Sequence, residues 1–278
     1  MFSECCENMS SAVVVDAFVC SNVRLTGDLW QLVANAPDIA RTVQPGQFVH
    51  ISLGDTSRHV LRRPLSVHAV LGSVTGEPDS LSFLYQVVGE GTSYLTTIRE
   101  GATLSLLGPL GQGWRVPQEA HKLLLVGGGV GWAPLAMLAE EYLQRGYVVH
   151  LLVGARNADY LNALVNPHVL ADTYSPERCF LHLATDDGSL GFNGFNTGLL
   201  DDVLSANNID YIATCGPEPM QKVVAAQAAK RKIPCEVSLE RRMGCGIGAC
   251  LSCAVKTTGG IKRSCVDGPV FDATEVLW

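Results

Sequence analysis

No run of eighteen apolar residues occurs anywhere in the 278 residues, and apolar runs such as Leu123–Val126 are only strand-length. A helix that spans a membrane needs about 20 such residues, so none is expected. The first eleven residues, MFSECCENMSS, lack a basic stretch and an apolar core. They read as a short disordered tail and not as a signal peptide. There is no block of Lys or Arg long enough to make a nucleic-acid footprint, and the net charge is −7. Internal repeats and low-complexity segments are also missing. With 47% hydrophobic and 17% charged residues, the chain can bury sizeable cores, and its length suits two domains and a small appendix. Ten cysteines without an export signal point to a reducing, cytoplasmic compartment, where thiols stay free or bind metal. Cys5, Cys6, Cys20, Cys179 and Cys235 are scattered and read as small apolar residues.

Four cysteines are not scattered. Cys245, Cys250, Cys253 and Cys265 follow the spacing C-x4-C-x2-C, then eleven residues, then C. The first three match the plant-type [2Fe–2S] spacing. Gly246 and Gly248 lie between the first two, where a tight wrap would aim backbone N–H groups at the sulfurs. Zinc is the main competitor, but four-cysteine zinc sites usually come as two short knuckles, and here the last cysteine stands alone. Disulfides and unliganded thiols are the remaining alternatives. A one-electron centre at the end of a long chain implies an electron source elsewhere in it, so the rest of the sequence is read for flavin and pyridine-nucleotide sites.

Residues 12–116 read as β-structure. Ala12–Cys20, Phe48–Leu53, Ser82–Val88 and Thr103–Leu107 are strand-like, with Gly and Pro between them. The pattern predicts an antiparallel barrel or sandwich. In Arg62-Arg63-Pro64-Leu65-Ser66-Val67, proline opposes helix, and an extended Arg-x-x-Ser presents a guanidinium suited to phosphate. The plain alternative is a surface Arg pair beside an edge strand. Gly89-Glu90-Gly91-Thr92 opens a short helix predicted over Thr92–Arg99, and its free N–H groups can hold an anion or simply cap a turn. Together the two features could bracket a pyrophosphate. Gly108–Trp114 reads as a turn-rich linker.

Residues 117–235 switch to alternating strands and helices, which predicts a doubly wound parallel sheet. Lys122–Val126 runs into Gly127, Gly128, Gly129 and Gly131, with Pro134 in the first turn of the next helix. A strand, glycines and a helix form a dinucleotide loop by mechanism, or a tight turn needed only for packing. Cys215-Gly216-Pro217 ends a later strand, where the thiol would sit at the mouth of a site or lie buried. No acid ends the second strand to hold a ribose. Arg156 is there instead, and Asp186 and Asp187 follow the third strand, so NAD and NADP are not separated.

The order of these parts resembles the ferredoxin-reductase superfamily, and within it the electron-transfer subunits of class 1B dihydroorotate dehydrogenase, over about residues 12 to 276. Arg63-Pro64-Leu65-Ser66 is similar to that family's flavin-binding R-P-x-S, Leu84-Tyr85-Gln86 to the strand along the flavin, and Gly91-Thr92 to its pyrophosphate contact. Val126–Leu135, Thr185–Ser189, Cys215-Gly216-Pro217 and Asp267–Phe271 also resemble its motifs, and the four cysteines fall on its cluster ligands. Trp132 stands where a smaller residue is common, and Leu65 where wider relatives carry an aromatic that stacks on the flavin. The resemblance implies an FAD-binding β-barrel domain at 12–116, an NAD-binding α/β domain at 117–235 and a [2Fe–2S] module at 236–278. It implies no acid–base residue. It implies a partner, an FMN-containing dihydroorotate dehydrogenase catalytic subunit, joined two plus two as a heterotetramer that serves pyrimidine biosynthesis. Electrons would pass from the partner through the cluster and FAD to NAD+. Ile247, Leu251 and Val255 would lie near the docking surface. An NAD(P)H–ferredoxin oxidoreductase or a sulfhydrogenase subunit shares this architecture and is the alternative. A zinc-stabilised nucleotide-binding module without redox chemistry is the reading from a different class.

Overall fold

A computed structural model describes residues 12–54, 60–73, 76–165 and 173–278. The N-terminal tail, with Cys5 and Cys6, lies outside the described residues.

The first sheet has seven strands: β1 (Val13–Thr26), β2 (Leu29–Asn35), β3 (Phe48–Ile51), β4 (Arg63–Ser66), β5 (Ala69–Gly72), β6 (Pro78–Gln86) and β7 (Thr103–Leu110). Their order is β4-β3-β7-β1-β2-β6-β5 and every pairing is antiparallel. β4 and β5 are edges, which makes this a half-barrel. Alternation decides which side chains fill it. Val49 and Ile51 of β3, and Leu81, Phe83 and Tyr85 of β6, join one buried cluster with Ala17, Leu32 and Leu106. Leu84 of β6 faces the other way, into the core of the second sheet. β1 is not a fully buried strand, because Val14 and Phe18 lie on its exposed face. The segment predicted as a linker is partly strand: β7 continues through Gly108 and Pro109 to Leu110. β2 and β5 were not evident from their residues, although Gly27-Asp28 between Thr26 and Leu29 is a two-residue hairpin signal.

The second sheet contains β8 (Lys122–Gly128), β9 (Val148–Ala155), β10 (Cys179–Thr185), β11 (Phe192–Asn193), β12 (Tyr211–Cys215) and β13 (Cys235–Ser238), all parallel, with β16 (Val270–Asp272) added antiparallel at one edge. The order is β11-β10-β9-β8-β12-β13-β16. Helices Ala133–Gln144, Ala158–Leu164, Thr197–Ala206 and Glu218–Arg231 lie between the strands in sequence. Both faces of the central strands are covered, so these strands are mostly apolar. In β8, Leu123 and Leu125 join the cluster under helix Ala133–Gln144, while Leu124 and Val126 join the one under Glu218–Arg231. A 3-10 turn, Gly129–Trp132, leads from β8 into Ala133–Gln144. No helix among the described residues is long and apolar enough to cross a membrane.

The C-terminal segment carries the cysteine loop and the hairpin β14 (Ala254–Thr257) with β15 (Gly260–Arg263), then returns as β16 beside β13. The stretch after β7 ties the parts together. The Gln112 N–H donates to the Gly268 carbonyl at 2.6 Å, and Trp114 Nε1 donates to the Pro134 carbonyl at 2.9 Å. Buried Glu236 accepts from the Arg115 N–H, from Arg115 Nε and from the Tyr211 hydroxyl at 2.6–2.9 Å.

Candidate functional site

Three sites follow from this frame. The first is a cradle on the half-barrel. Proline suits β4 because it is an edge strand paired only with β3. The neighbouring arginines separate by role. Arg62 turns inward and donates to the Ser105 carbonyl at 2.7 Å and the Ser105 hydroxyl at 2.9 Å, which ties the segment to β7. Arg63 lies against Gly91 so closely that a Cβ added there would come within 2.5 Å of the Arg63 Cζ. The two sequence motifs therefore meet in space, and glycine at 91 is what lets the guanidinium approach the helix. That helix is Glu90–Leu95, shorter at its C-terminal end than predicted. Its Thr92 hydroxyl accepts from the Val88 N–H at 2.9 Å and donates to the Gly89 carbonyl at 3.1 Å, which fixes the turn into the helix. Pro64, Leu65 and Ser66 are half-buried along β4. On β6 the alternation splits the predicted trio. Tyr85 points into the barrel, where its hydroxyl donates to Asn22 Oδ1 at 2.9 Å and burial raises its pKa. Leu84 turns the other way into the second sheet's core, and Gln86 on the same face lines the cleft at the ends of the parallel strands. A guanidinium beside a helix N-terminus fits the pyrophosphate of a flavin dinucleotide.

The second site is a cleft of about 840 Å³ at the carboxyl ends of the parallel strands. Strand order reverses between β8 and β12, and ligands of open α/β sheets bind at that point. Gly127 pairs with Cys215 across it. The two predicted motifs close-pack there. A Cβ on Gly131 would lie 2.6 Å from the Cys215 carbonyl, and one on Gly128 would lie 2.8 Å from Pro217 Cδ. Gly128, Gly129, Gly131, Gly216 and Pro217 line the cleft. The Cys215 thiol does not, because it is buried in the core, and burial pushes its pKa well up. Gly127 contributes a carbonyl that accepts from Asn196 Nδ2 at 2.9 Å. Arg156, just beyond β9, is already engaged. It pairs with Asp28 of the half-barrel and lies 4.3 Å over the Tyr160 ring. Gln86 Nε2 donates to the same Asp28 at 2.7 Å. Tyr160 and Asn196, which line the cleft, and Asp28, which holds Gln86 and Arg156 beside it, were not evident from the sequence, since each comes from a separate element.

The third site is the cysteine loop. Cys253 and Cys265 are buried and pack with Phe48 and Leu110, whereas Cys250 is exposed. The thiols lie together: Cys250 beside Cys245, and Cys265 beside Cys253 with Cys245 also near. Backbone donors are aimed at sulfur. The Ala249 and Cys250 N–H groups reach Cys245 Sγ at 3.2 and 3.4 Å, and the Gly248 N–H reaches Cys265. The Ser252 hydroxyl and N–H hold the Cys250 thiol down at about 6, and burial beside Cys253 raises that of Cys265. Gly246 and Gly248 take φ of +75° and +81°, so the wrap needs them. Among the described residues, no three His, Cys, Asp or Glu side chains surround one point closely enough for a single ion. Four thiols with backbone N–H donors aimed at them fit a two-iron cluster, which takes two ligands on each iron. Ile247 and Leu251 are exposed beside the loop, but Val255 is buried in the second sheet's core and is not part of that surface.

His50 was read from sequence only as part of an alternating strand. It is fully buried, and neither ring nitrogen has a partner. Burial, with Arg62 nearby, holds its pKa down at about 4, so the ring is neutral.

Residues 240–277 match the iron–sulfur cluster binding domain of dihydroorotate dehydrogenase B. The chain is 38% identical over 270 residues to the dihydroorotate dehydrogenase B (NAD(+)) electron transfer subunit of Desulforamulus reducens, covering 95% of this chain and 98% of that protein. It is 34% identical over 269 residues, with the same coverage, to the subunit of that name from Fusobacterium nucleatum. Among solved structures it is similar to the NADH-dependent reduced ferredoxin-NADP oxidoreductase studied for flavin-based electron bifurcation. There the TM-score is 0.81 at 31% identity, over 94% of this chain and 90% of that one. A ferredoxin NADP+ reductase from Neisseria gonorrhoeae with bound FAD and NADP shares the fold at 17% identity, TM-score 0.63, over 78% and 91%.

Proposed function

The chain belongs to the electron-transfer subunits of dihydroorotate dehydrogenase B, and on that premise we propose how its residues divide the work. It is the oxidoreductase component that links a dihydroorotate-oxidising catalytic subunit to NAD+, with FAD and a [2Fe–2S] cluster as its cofactors. Bound FAD supplies two-electron hydride exchange with nicotinamide and one-electron exchange with the cluster. Arg63, Pro64, Leu65 and Ser66, with Gly91 and Thr92, hold the flavin's pyrophosphate side. Leu84 and Tyr85 anchor the strand along the flavin, from the second sheet's core and from within the barrel, and Gln86 reaches the cleft beside it. Gly128, Gly129 and Gly131, against Gly216 and Pro217, seat the pyridine nucleotide, while Gly127 and Cys215 keep the two strands in register beneath it. Cys245, Cys250, Cys253 and Cys265 hold the cluster, and the N–H groups of 248–250 orient toward its sulfurs. No side chain of this chain has to act as an acid or base. The partner carries FMN and joins as two plus two subunits in the cytoplasm. The division at residues 12–116, 117–235 and 236–278 assigns one cofactor to each part.

The observation that carries this reading is the meeting of separate motifs: Arg63 with Gly91, and Gly131 with Cys215 and Gly216. The 31% identity to a reduced ferredoxin–NADP oxidoreductase supports that activity as the second reading. Stopped-flow absorbance of the anaerobic chain mixed with NADH, with and without a dihydroorotate dehydrogenase catalytic subunit and orotate, separates the two. The expected result is bleaching of flavin and cluster bands, with electrons reaching orotate only when the partner is present. Bleaching that couples to ferredoxin and never to orotate moves the assignment to the second reading.

A further inference from the structure

We propose that His50 is a positioning residue for the iron–sulfur cluster, donating an imidazole N–H to the cluster held by the 245–253 loop and raising its reduction potential. The proposal rests on the assignment of a cluster to that loop.

The direction of the His50 side chain comes from strand alternation. Val49 and Ile51 fill the half-barrel, so Phe48 and His50 leave it on the opposite face. A register shift against β7 between Phe48 and His50 marks a bulge, which re-aims side chains locally. Phe48 packs on Cys253 and Cys265, and its ring lies 5.7 Å from that of His50. The His50 ring continues the same face to the other half of the loop. A Cβ on Gly246, the residue after Cys245, would sit 2.8 Å from both His50 Nδ1 and Cε1. The Phe48–His50 face therefore spans both cysteine pairs.

The chemistry of the side chain is out of place for mere covering. A phenylalanine or leucine would fill this space without desolvating two polar atoms. His50 is 0% exposed, and neither Nδ1 nor Nε2 meets a donor or acceptor of the protein. A buried polar group left unpaired costs at least what a lost hydrogen bond costs. The surroundings that lack a partner are those beside the loop that binds an anionic cluster, and hydrogen bonds to cluster sulfur help set its potential. Arg62 does not satisfy the ring: its Nη1 donates to the His50 carbonyl at 3.3 Å and to Ser105.

The test uses the full chain, loaded with cluster and FAD and reduced anaerobically. Pulsed EPR of protein with 15N-labelled histidine is expected to show one weak 15N coupling to the reduced cluster, absent in His50→Phe. A redox titration followed by EPR is expected to place the His50→Phe cluster at a lower potential. The expected shift is a tenfold change in the reduced-to-oxidised ratio, about 59 mV for a one-electron couple. His50→Gln, which keeps an N–H donor, is expected to recover part of the shift. Should His50→Phe not fold, the wild-type coupling and the Gln variant decide the matter. A normal cluster signal without 15N coupling, as a bridging water would give, overturns the proposal. So does a coupling that persists in His50→Phe, or a potential that does not move. A wild-type chain with no cluster signal instead sinks the cluster assignment itself.

Discussion

Replacing Gly91 by alanine should separate flavin binding from folding. The added Cβ would lie 2.5 Å from the Arg63 Cζ, so one of the two must move. Arg63 can, because the obstructing atoms are the end of a flexible side chain whose Nη1 donates to the Leu61 carbonyl, its one hydrogen bond among the described residues. The helix itself gains, since alanine is better than glycine in a helix by about 0.8–1 kcal/mol. The apoprotein should therefore unfold at the same urea concentration as the wild type or slightly higher. The loss falls on the ligand. Hydrogen bonds to a charged group contribute about 1.5–3 kcal/mol. With each 1.4 kcal/mol worth a factor of about ten, FAD should bind roughly 10- to 100-fold more weakly. Equilibrium dialysis or flavin fluorescence measures the dissociation constant, and urea titration measures the fold. An FAD affinity within twofold of wild type would refute the role given to Arg63, and so would a loss of FAD that appears only together with unfolding. Gly131→Ala is the contrasting control. There the obstacles, 2.6 Å away, are the Cys215 carbonyl and the Gly216 Cα. Backbone cannot step aside, so overpacking of about 1–3 kcal/mol should lower stability and NADH binding together.

Cys250→Ser should abolish the cluster's EPR signal while leaving flavin bound and reducible by NADH, because Cys250 is exposed and supports no core; retention of the signal would remove it from the ligand set. Asp28→Asn should free Arg156 and tighten NADP+ binding by about tenfold, the worth of about 1.4 kcal/mol, with NAD+ changed little; calorimetry that finds NADP+ unmoved would show that Arg156 does not read the nucleotide's 2′ position. Acid should destabilise the second sheet through His150, which is buried against His182 with its Nδ1 3.1 Å from His182 Nε2 and its pKa held down at about 4 by burial, then by His182 and Lys122. The unfolded chain takes up that proton near 6.5 and the folded chain only near 4, so stability is full above 6.5 and falls below it. By pH 5 the loss is about 2 kcal/mol; urea midpoints at pH 7.5 and 5 that differ no more in the wild type than in His150→Leu would exclude His150 as the cause.

Local chemistry was legible wherever one short stretch carries it. The cysteine spacing named a [2Fe–2S] cluster because its ligands are mostly neighbours in sequence. The alternation of apolar strands with helices announced a parallel sheet, because both faces of such strands are buried. Phosphate-site candidates stood out as Arg-Pro and glycine runs, but each alone had an ordinary turn or packing explanation. Only the tertiary structure brought them together, Arg63 onto Gly91 and Gly131 onto Gly216, from segments about 30 and 85 residues apart. It also decided the direction of side chains within strands. Tyr85 turned into the barrel while Leu84 entered the second sheet's core and Gln86 reached the cleft, Cys215 went into the core, and Val255 left the docking surface. A period of two fixes that neighbours oppose one another, but not which face meets which partner. For the same reason His50 looked like one more residue of an alternating strand. Its significance arises from Gly246, nearly two hundred residues away, and no local pattern connects them.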